Sequence, residues 1–509
     1  MRFQSEIRLS NINHLLEKVQ NKDYGKYLLK ISIEKARAFE GKSITFDFPV
    51  TAIVGINGGG KTTVLGAAGC AYKTIKPSRF FAKSGRFDSS MQNWKFEYEV
   101  IDKQIRKADT VRRSAKFASS KWSRTWKVDS NHKEREVAVF GVSRTVPANE
   151  RPELNRCASN SFDVDPESIE EISSGVVNAV ASILDKDISA FSFLRVDTRG
   201  RVTLLTGQTS AGDSYSEFHF GAGESSIIRM AIKLETISEN SLILVEEIEN
   251  GLHPVATVRM VEYLIDLAER RKIQVIFTTH SNDALKPLPD KAIWAVANGN
   301  LYQGKLDISS LRAISGQIDS QLVVFVEDSF ARMWVEEIVR SLPNVAMDAV
   351  SVHAMEGDGT AVTVHRSRQS DPTSVTQPSV CLIDGDSKQQ HSEREDIYRL
   401  LGQSPESYIY DNVTEKLDEV SGQLAIALLR PYEEEEKVAN VVRSVRNTNR
   451  DPHLLYSQVG KKLGFIPETR VKEAFIATWV RTFPQEVQDI TKPFLDKVPR
   501  ENTKLNINR

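Results

Sequence analysis

Residues 50–63 read VTAIVGINGGGKTT, and this stretch decides the fold of the first part of the chain. Its apolar start has the composition of a buried strand, and the pattern G-x-x-x-x-G-K-T then leads into a helix-like sequence. Glycines let such a loop fold around phosphate oxygens, its lysine reaches the β- and γ-phosphates, and its threonine hydroxyl can ligate Mg²⁺. The stretch therefore predicts a nucleotide-binding turn. The predicted contacts are Gly55, Asn57, Gly58, Gly60, Lys61, Thr62 and Thr63, with Thr62 also on the metal.

The composition places the chain among ordinary globular proteins. Of its 509 residues 40% are hydrophobic, and 67 Lys and Arg stand against 68 Asp and Glu. This balance excludes a disordered tail protein and a uniformly basic nucleic-acid coat, and it leaves room for a local basic groove. The three widely spaced cysteines predict neither a disulfide framework nor a zinc site. The opening lacks a signal-peptide core and no run reaches the ~20 apolar residues of a membrane span, so we expect a cytoplasmic protein without a membrane.

Strand-like and helix-like segments alternate in two series along the chain. The first series, within residues 28–297, predicts parallel strands covered by helices. Inside it, residues of about 91–187 are predicted to form an antiparallel β insertion with long loops. A second series begins near Gln321, which places a domain boundary at about Ser315. The predicted domains are 1–315 and 316–509, the second with a helical extension from about 395.

Two further apolar strands end in polar residues that suit nucleotide chemistry. Glu246 and Glu247 follow LILV, and strand-end carboxylates of P-loop enzymes bind Mg²⁺ or orient the attacking water. We therefore assign Glu246 to the metal and Glu247 to catalysis. His280 ends the strand-like FTTH, where it could contact the γ-phosphate as part of the catalytic group. The alternative for the glutamate pair is a solvated turn, and the alternative for His280 is a polar residue satisfied at a sheet edge.

A fourth motif, GAGES at 221–225, is a glycine turn that opens a helix and could present N–H groups to an anion. In their order along the chain, the four motifs resemble the ATPase heads of the ABC/SMC type. The segment EEIENGLHP followed by TTHS resembles the ATPase of the overcoming-lysogenization-defect (OLD) nucleases. The resemblance covers residues 28–297. It implies that two heads sandwich ATP, with Gly221 and Gly223 near the nucleotide, and hence a homodimer or a higher even homo-oligomer.

The second series carries carboxylates at two strand ends. Glu327 follows QLVVFV, and Asp384 and Asp386 follow VCLI as an Asp-Gly-Asp turn. Carboxylate oxygens suit Mg²⁺ or Mn²⁺, which can activate water and stabilise a leaving phosphate oxygen, so these residues predict phosphodiester hydrolysis. The alternative is a surface turn together with a helix-capping glutamate.

The spacing of Glu327 and the Asp-x-Asp turn resembles the Toprim domain of topoisomerases, primases and OLD nucleases. An ABC-type head followed directly by Toprim is the OLD arrangement. That family usually has Gly after the Glu and another acidic residue four positions after it, whereas this chain has Asp328 and Ala331, which leaves open one metal or two. The family implies further carboxylates and a lysine from the helical part. Candidates are Asp411 as a metal ligand, Glu415, and Lys461 or Lys462, of which Lys462 is the catalytic candidate.

A basic stripe, interleaved with Trp122 and Trp126, marks the predicted insertion. Its members are Arg106, Lys107, Arg112, Arg113, Lys116, Lys121, Arg124 and Lys127. Such a stripe could follow the phosphate backbone of DNA without reading its sequence. The alternative is a twisted antiparallel sheet with tryptophans inward and basic residues outward.

The expected fold is therefore α/β: an ABC/SMC-type P-loop ATPase head with an antiparallel β insertion, then an α/β Toprim domain with a helical C-terminal part. The expected function is an ATP-regulated DNA endonuclease that uses ATP and Mg²⁺ or Mn²⁺. The OLD resemblance implies antiphage defence, with a helicase as partner in a Gabija-like system, or a reverse transcriptase and its RNA–DNA hybrid in a retron-like one.

A rival hypothesis is an ATP-dependent sensor or scaffold whose degenerate Toprim domain controls a separate effector, and Ala331 supports it. An SMC-like clamp is disfavoured because no long heptad coiled coil separates the two glycine turns.

Overall fold

The computed structural model divides into two compact units, Met1–Ile308 and Ser309–Arg509. The predicted boundary at Ser315 and the basic residue Lys127 lie outside the residues that the structure describes. The described ranges are 7–107, 109–126, 133–160, 162–197, 202–209, 212–297, 299–304, 321–355, 359–370, 378–449 and 451–500.

The first unit contains three sheets and the helices that cover them. Its described strands are β1 (Lys26–Ala36), β2 (Phe39–Thr45), β3 (Val50–Gly55), β4 (Trp94–Asp102), β5 (Val111–Ala118), β6 (Lys121–Arg124), β7 (Val137–Phe140), β8 (Ile169–Glu171), β9 (Ser192–Arg195), β10 (Thr203–Gln208), β11 (Ser214–Ser216), β12 (Leu242–Val245), β13 (Gln274–Thr279), β14 (Ile293–Ala297) and β15 (Asn300–Gln303). Its described α-helices are α1 (Leu9–Gln20), α2 (Lys61–Cys70), α3 (Ser174–Leu184), α4 (Ala222–Thr236) and α5 (Pro254–Arg271).

The central sheet has the strand order β15-β14-β3-β13-β12-β7 and is parallel except at β15. Every residue of β3, β12, β13 and β14 is buried. Helices α2 and α5 pack against β3 and β13. Parallel strands need crossover helices, which cover the faces of the sheet, and this explains why these strands read as continuous apolar runs.

The antiparallel β insertion predicted at about 91–187 does not form one unit, because its strands belong to three different sheets. Strands β4, β5 and β6 continue the antiparallel sheet that β1 and β2 begin, in the order β2-β1-β4-β5-β6. Strand β7 instead joins the central sheet beside β12. The reason is burial: Phe96, Tyr98 and Val100 alternate along β4 and pack in one core with Val64 and Leu65 of α2.

A third sheet, in the order β11-β10-β9-β8, is antiparallel, and helix α3 packs against α4 and α5. Helix α5 begins where its sequence predicts. His253 accepts a hydrogen bond from the N–H of Val255, Pro254 takes the first turn, and Arg270 and Arg271 lie at the end where cations are favoured.

The second unit has a parallel sheet followed by a bundle of helices. Its described strands are β16 (Leu322–Val326), β17 (Val350–Ala354), β18 (Ser379–Ile383) and β19 (Ile397–Arg399). Its described α-helices are α6 (Ser329–Ser341), α7 (Thr360–Gln369), α8 (Pro405–Glu415), α9 (Leu417–Ala427), α10 (Glu435–Thr448), α11 (Pro452–Lys462), α12 (Glu468–Thr482) and α13 (Pro484–Thr491). The sheet order is β17-β16-β18-β19.

Sheet and helices of this unit share one hydrophobic core. Trp334 of α6 and Trp479 of α12 are fully buried in it and meet edge to face, with ring centroids 5.1 Å apart. Within the predicted helical extension, α8 and α9 meet at Lys416. Within the described ranges, no helix is both long enough and apolar enough to cross a membrane.

Candidate functional site

Three of the sequence motifs meet at one edge of the central sheet. Strands β3, β13 and β12 are parallel neighbours, so their carboxyl ends lie at the same edge. The loop of residues 55–62, here called the P-loop, follows β3. Glu246 and Glu247 follow β12, and His280 follows β13. Ligands of open parallel sheets bind at this edge.

The P-loop takes a backbone shape that its glycines permit. Gly58 (φ 75°) and Gly60 (φ 106°) lie in the left-handed region, which other residues rarely adopt. Gly60 also caps α2, and a Cβ at this position would lie 2.7 Å from the ring of Phe39. Another residue at position 60 would therefore distort the start of α2, whose N–H groups favour an anion.

Lys61 is buried at the first turn of α2. Its Nζ donates hydrogen bonds to the carbonyl oxygens of Gly55 (3.0 Å) and Ile56 (2.9 Å). Burial lowers the pKa of Lys61 to about 8, and the carboxylates of Glu247 and Glu249 oppose this shift. A buried ammonium bound to neutral carbonyls gains from a phosphate anion, which fits the predicted nucleotide contact.

The other P-loop residues differ in their surroundings. Asn57 and Thr62 are exposed. Thr63, predicted to contact the nucleotide, is buried, and its Oγ1 accepts a hydrogen bond from Nη1 of Arg37 at 3.0 Å. Its N–H donates to the carbonyl oxygen of Gly60 at 2.9 Å, so the contacts of Thr63 stabilise the P-loop itself. Arg37 and the P-loop line a cavity of about 160 Å³.

Glu247 and His280, predicted from separate motifs, lie next to each other. Glu247 leaves β12 with φ 45° and donates its N–H to Oγ1 of Thr278 at 2.9 Å. Its Oε1 lies 4.0 Å from Nε2 of His280. Burial, and then the charge of Lys61, lower the pKa of His280, so the imidazole is neutral at pH 7 and can donate or accept a single hydrogen bond at each nitrogen.

Sequence reasoning missed two residues of this edge. Glu249 accepts hydrogen bonds from Oγ1 of Thr279 (2.8 Å) and from the N–H of His280 (2.6 Å). Arg144 donates from Nη1 to the carbonyl oxygen of Glu246 (2.5 Å) and from Nη2 to that of Glu247 (2.6 Å). Glu249 carried a signal, since it is the third acidic residue of EEIE. Arg144 carried none, because it lies 102 residues before Glu246 along the chain.

The second glycine turn touches the loop after β12. Gly221 caps α4, and a Cβ on Gly223 would lie 1.9 Å from the carbonyl oxygen of Gly251. Only a residue without a Cβ permits this approach. Glu224 forms an ion pair with Lys186 at 2.6 Å. The predicted contact of this turn with ATP on a second subunit stays a prediction.

The second unit brings carboxylates together at the ends of its central strands. Glu327 follows β16, and Asp384 follows β18, its parallel neighbour. Both are buried, at 7% and 9% exposure. Asp386, predicted with them, is exposed beyond the turn. We call the group formed by Glu327, Asp328, Asp384, Asp386 and Glu406 the acidic cluster.

Asp384 carries the electrostatic signature of this cluster. Burial first, and then the charges of Asp328, Glu327, Glu406 and Asp386, raise its pKa to about 8. Its Oδ1 is buried and has no hydrogen-bond partner among the described residues. A buried carboxylate held among other carboxylates is the arrangement that a bound cation would stabilise.

Glu406 is a member of the cluster that sequence reasoning missed. It lies on α8, is buried, and accepts a hydrogen bond from Oγ of Ser404 at 3.2 Å. Nδ1 of His453 lies 3.4 Å from its Oε1. No spacing in the sequence relates Glu406 to Glu327, because the fold of the helical part alone brings α8 to the sheet edge.

Asp328 has a structural task as the N-cap of α6. Its Oδ1 accepts the N–H of Ala331 at 2.7 Å. Burial raises its pKa, and the N–H of Ala331 and the charge of Lys472 partly oppose this. Lys472 of α12 also lies 2.8 Å from Glu468.

Two site residues predicted in the helical part are corrected by the structure. Both carboxylate oxygens of Asp411, a predicted metal ligand, bind the guanidinium of Arg446, at 2.6 and 2.7 Å. Lys462, a predicted catalytic residue, is exposed at the end of α11 and donates to Oγ of Ser444 at 3.1 Å. The lysine whose charge reaches the acidic cluster is instead Lys472.

The acidic cluster is not a ready-made cation cage. Among the described residues, no three His, Cys, Asp or Glu side chains stand in an arrangement that could already hold a metal ion. Burial is the first cause of the raised pKa of Asp384, and repulsion by the neighbouring carboxylates is the second.

The basic stripe divides into structural and exposed members. Arg113 is buried and forms ion pairs with Asp102 (3.1 Å) and Glu134 (3.2 Å). Arg124 donates from Nη2 to the carbonyl oxygen of Ile75 at 2.6 Å. These two arginines are therefore not available to a nucleic acid, which corrects part of the prediction. The exposed members are Arg106, Lys107, Arg112, Lys116 and Lys121.

The tryptophans of the stripe face inward, as the alternative predicted. Trp122 packs against the core that α2 shares with β4, and its ring stacks on Phe96 with centroids 6.0 Å apart. Trp126 lies against the guanidinium groups of Arg113 and Arg124.

Residues 50–285 match the family model described as "AAA domain, putative AbiEii toxin, Type IV TA system". The matched segment runs from β3 past His280, and it identifies this part of the chain as a P-loop ATPase-type domain that binds ATP. No match to the chain was found among curated proteins.

Three solved structures show a distant likeness to about half of this chain. The SMC head domain from Thermotoga maritima is 13% identical and covers 54% of this chain and 98% of its own, with a TM-score of 0.33. The SmcHead bound to the C-winged helix domain of ScpA is 14% identical over 54% and 96%, with a TM-score of 0.39. The recombination mediator protein RecF with ATP is 10% identical over 55% and 98%, with a TM-score of 0.34.

Proposed function

We propose that the chain is an ATP-regulated, divalent-metal-dependent DNA endonuclease of the OLD type. The observation that carries the proposal is the acidic cluster at the ends of β16 and β18, in a chain whose other unit is a P-loop ATPase-type domain. A solvated surface turn would neither bury a carboxyl group nor raise its pKa to about 8. Asp384 therefore argues against the alternative of a surface turn with a helix-capping glutamate.

The donors of the cluster fit a hard divalent cation. Oδ1 of Asp384 is buried without a hydrogen-bond partner among the described residues, and oxygen ligands suit Mg²⁺ or Mn²⁺. Glu327, Asp384 and Asp386 would hold the cation, with Glu406 beside them. When bound, the cation would supply Lewis-acid activation of water and charge neutralisation at the phosphate. Lys472 would add a positive charge next to Asp328.

At the ATP site each residue of this chain has a proposed task. Lys61 would exchange its carbonyl partners for the β- and γ-phosphates, and Thr62 and Glu246 would hold Mg²⁺. Glu247 would orient the attacking water. His280, neutral at pH 7 and 4.0 Å from Glu247, would contact the γ-phosphate. ATP would then set the state of the nuclease unit, because a ligand shifts the equilibrium between conformations that it binds unequally.

DNA and a second copy of the chain are the proposed macromolecular partners. The exposed basic residues Arg112, Lys116 and Lys121 lie on neighbouring strands β5 and β6 and could follow a phosphate backbone. A homodimer or higher even homo-oligomer would place the turn of Gly221 and Gly223 against ATP of the second copy. Antiphage defence, with a helicase or a reverse transcriptase and its RNA–DNA hybrid as partner, is the proposed setting.

Cleavage assays on the full chain test the proposal. Plasmid, linear and single-stranded DNA are incubated with Mg²⁺ or Mn²⁺, with and without ATP. We expect Glu327→Gln and Asp384→Asn to lose cleavage by at least ~100-fold while ATP hydrolysis persists, since these ligands act on the metal. Asp411→Asn is the matched control, because its carboxylate is bound to Arg446 and its loss should leave cleavage intact.

A sensor or scaffold with an inactive second unit is the competing function. Two observations favour it: Asp328 is engaged as a helix cap beside Ala331, and the described residues contain no preformed metal cluster. It predicts ATP hydrolysis and assembly, with no metal-dependent cleavage of any DNA form by the wild type. In that case, Asp384→Asn should not change any activity of the chain.

A further inference from the structure

One side chain ties down the loop that carries both aspartates of the acidic cluster. Arg399, at the end of β19, donates from Nη1 to the carbonyl oxygens of Asp384 (2.9 Å), Gly385 (2.9 Å) and Ser387 (3.0 Å). Its Nη2 donates to the carbonyl oxygen of Gln389 at 2.5 Å. A single guanidinium therefore spans the whole turn after β18.

The same turn is held from its other side by the backbone. The N–H of Asp386 donates to the carbonyl oxygen of Gln403 at 2.8 Å. A Cβ on Gly385 would lie 1.5 Å from the carbonyl oxygen of Gly402, so only glycine allows the two backbones to approach this closely. The turn is thus confined between the side chain of Arg399 and the segment that leads into α8.

The turn needs such support because its carboxylates repel their neighbours. Asp384 lies among four other acidic side chains, and nothing in the described residues binds its Oδ1. Cation binding requires Asp384 to lose its proton, and the ionised carboxylate then repels its neighbours and favours an opened turn. Hydrogen bonds from a charged donor to the carbonyls of the turn oppose that opening without occupying the carboxylate oxygens.

We propose that Arg399 is a positioning residue: it keeps the turn that carries Asp384 and Asp386 closed, and from this closed turn both carboxylates bind one divalent cation. The inference rests on the proposed nuclease function. Arg399 does not touch the cation or the substrate. It acts through the carbonyl groups of the turn, and outer contacts of this kind typically change metal affinity by ~10–100-fold.

Lysine cannot replace arginine in this role. The guanidinium has five N–H donors in a planar fork, and here they reach four carbonyl oxygens. A lysine ammonium keeps the charge but places three donors at one point, so it can satisfy only part of the turn. Arg399→Lys therefore separates the geometry of the contact from its charge.

Binding of Mn²⁺ to the full chain without nucleotide, measured by electron paramagnetic resonance, tests the inference. We expect Arg399→Lys and Arg399→Gln to weaken Mn²⁺ binding by ~10–100-fold. Raising the Mn²⁺ concentration should restore DNA cleavage by Arg399→Lys, because its metal ligands are intact, and should not restore cleavage by Asp384→Asn. A purely structural role would lower cleavage without this metal rescue.

Arg366→Gln is the matched control, since Arg366 lies in the same unit and binds the exposed carboxylate of Glu395. Its Mn²⁺ affinity should equal that of the wild type. If Arg399→Gln fails to fold, as judged by circular dichroism, Arg399→Lys decides. Wild-type affinity in folded Arg399→Lys would overturn this inference alone. Equal Mn²⁺ binding by the wild type and Asp384→Asn would overturn the metal site, and the proposed function with it.

Discussion

The main-chain N–H of His280 donates a 2.6 Å hydrogen bond to the carboxylate of Glu249. Glu249 also accepts the hydroxyl of Thr279, so one side chain from the loop after β12 holds the end of β13. The imidazole of His280 is thereby kept beside Glu247, at 4.0 Å. Glu249 thus aligns His280 with Glu247 through its hydrogen bonds to the end of β13.

Loss of this alignment should lower the rate of ATP hydrolysis more than ATP affinity. We expect Glu249→Ala to lower kcat by ~10-fold or more with little change in KM, since misplaced catalytic groups affect mainly the transition state. Steady-state phosphate release measures both constants. Glu269→Ala, on the same unit but on α5, is the control, and an unchanged kcat in Glu249→Ala would contradict the prediction.

ATP affinity should fall as the pH rises through about 8, because burial lowers the pKa of Lys61 to about 8. In the free chain the ammonium is lost above that pH, whereas the phosphates of ATP require it, so ATP binding takes up a proton at alkaline pH. Titration calorimetry at about pH 7 and about pH 9 measures the change. Lys61→Arg keeps its charge over this range and should show a flatter profile. A flat wild-type profile would refute the prediction.

The second unit should lose stability as the pH rises from about 4 to about 8. The folded-state pKa of Asp384 is raised to about 8, whereas an unfolded Asp titrates near about 4, so the folded chain holds a proton that the unfolded chain has released. At about pH 8 we expect Asp384→Asn to unfold at a temperature higher by ~2–4 °C or more. Differential scanning calorimetry provides the comparison.

Added Mg²⁺ or Mn²⁺ should stabilise the wild type but not Asp384→Asn. The cation should raise the unfolding temperature of the wild type, because it binds the folded form, and should leave Asp384→Asn unchanged. The exposed Asp386 serves as the control for pH: Asp386→Asn should retain the wild-type loss of stability at alkaline pH. If the unfolding temperatures of the wild type and Asp384→Asn changed identically with pH, this account of the acidic cluster would be wrong.

Substitution of exposed residues of the basic stripe should affect DNA binding, whereas substitution of a buried one should affect stability. Arg112→Gln with Lys116→Gln should weaken DNA binding and reduce the slope of log affinity against log salt by ~2, with no loss of stability. Arg113→Gln removes the buried ion pair with Asp102 and should cost about 3–5 kcal/mol of unfolding free energy. Fluorescence anisotropy over a salt series and chemical denaturation separate the two. DNA binding that is insensitive to the exposed pair would exclude this surface.

Local sequence was enough to predict the elements that carry the ATP site. The P-loop, the strands β12 and β13 and the helix α5 follow from short patterns: an apolar run, a glycine turn, a proline at a helix start. Parallel strands then bring Glu247 and His280 to one edge, which a βα alternation already implies. The same logic placed Glu327 beside Asp384.

Tertiary structure alone decided which other side chains complete the two sites. Arg144 lies 102 residues before Glu246, Glu406 lies on a helix after the sheet, and Arg399 lies 15 residues after Asp384. No spacing rule relates any of the three to the group that it meets. The tertiary structure also argues against Asp411 as a metal ligand and Arg113 as a DNA contact, because each forms an ion pair with a residue of another element. Patterns of burial act over a few residues and can be read from the chain, whereas charge pairing depends on distances in space that only the packed fold establishes.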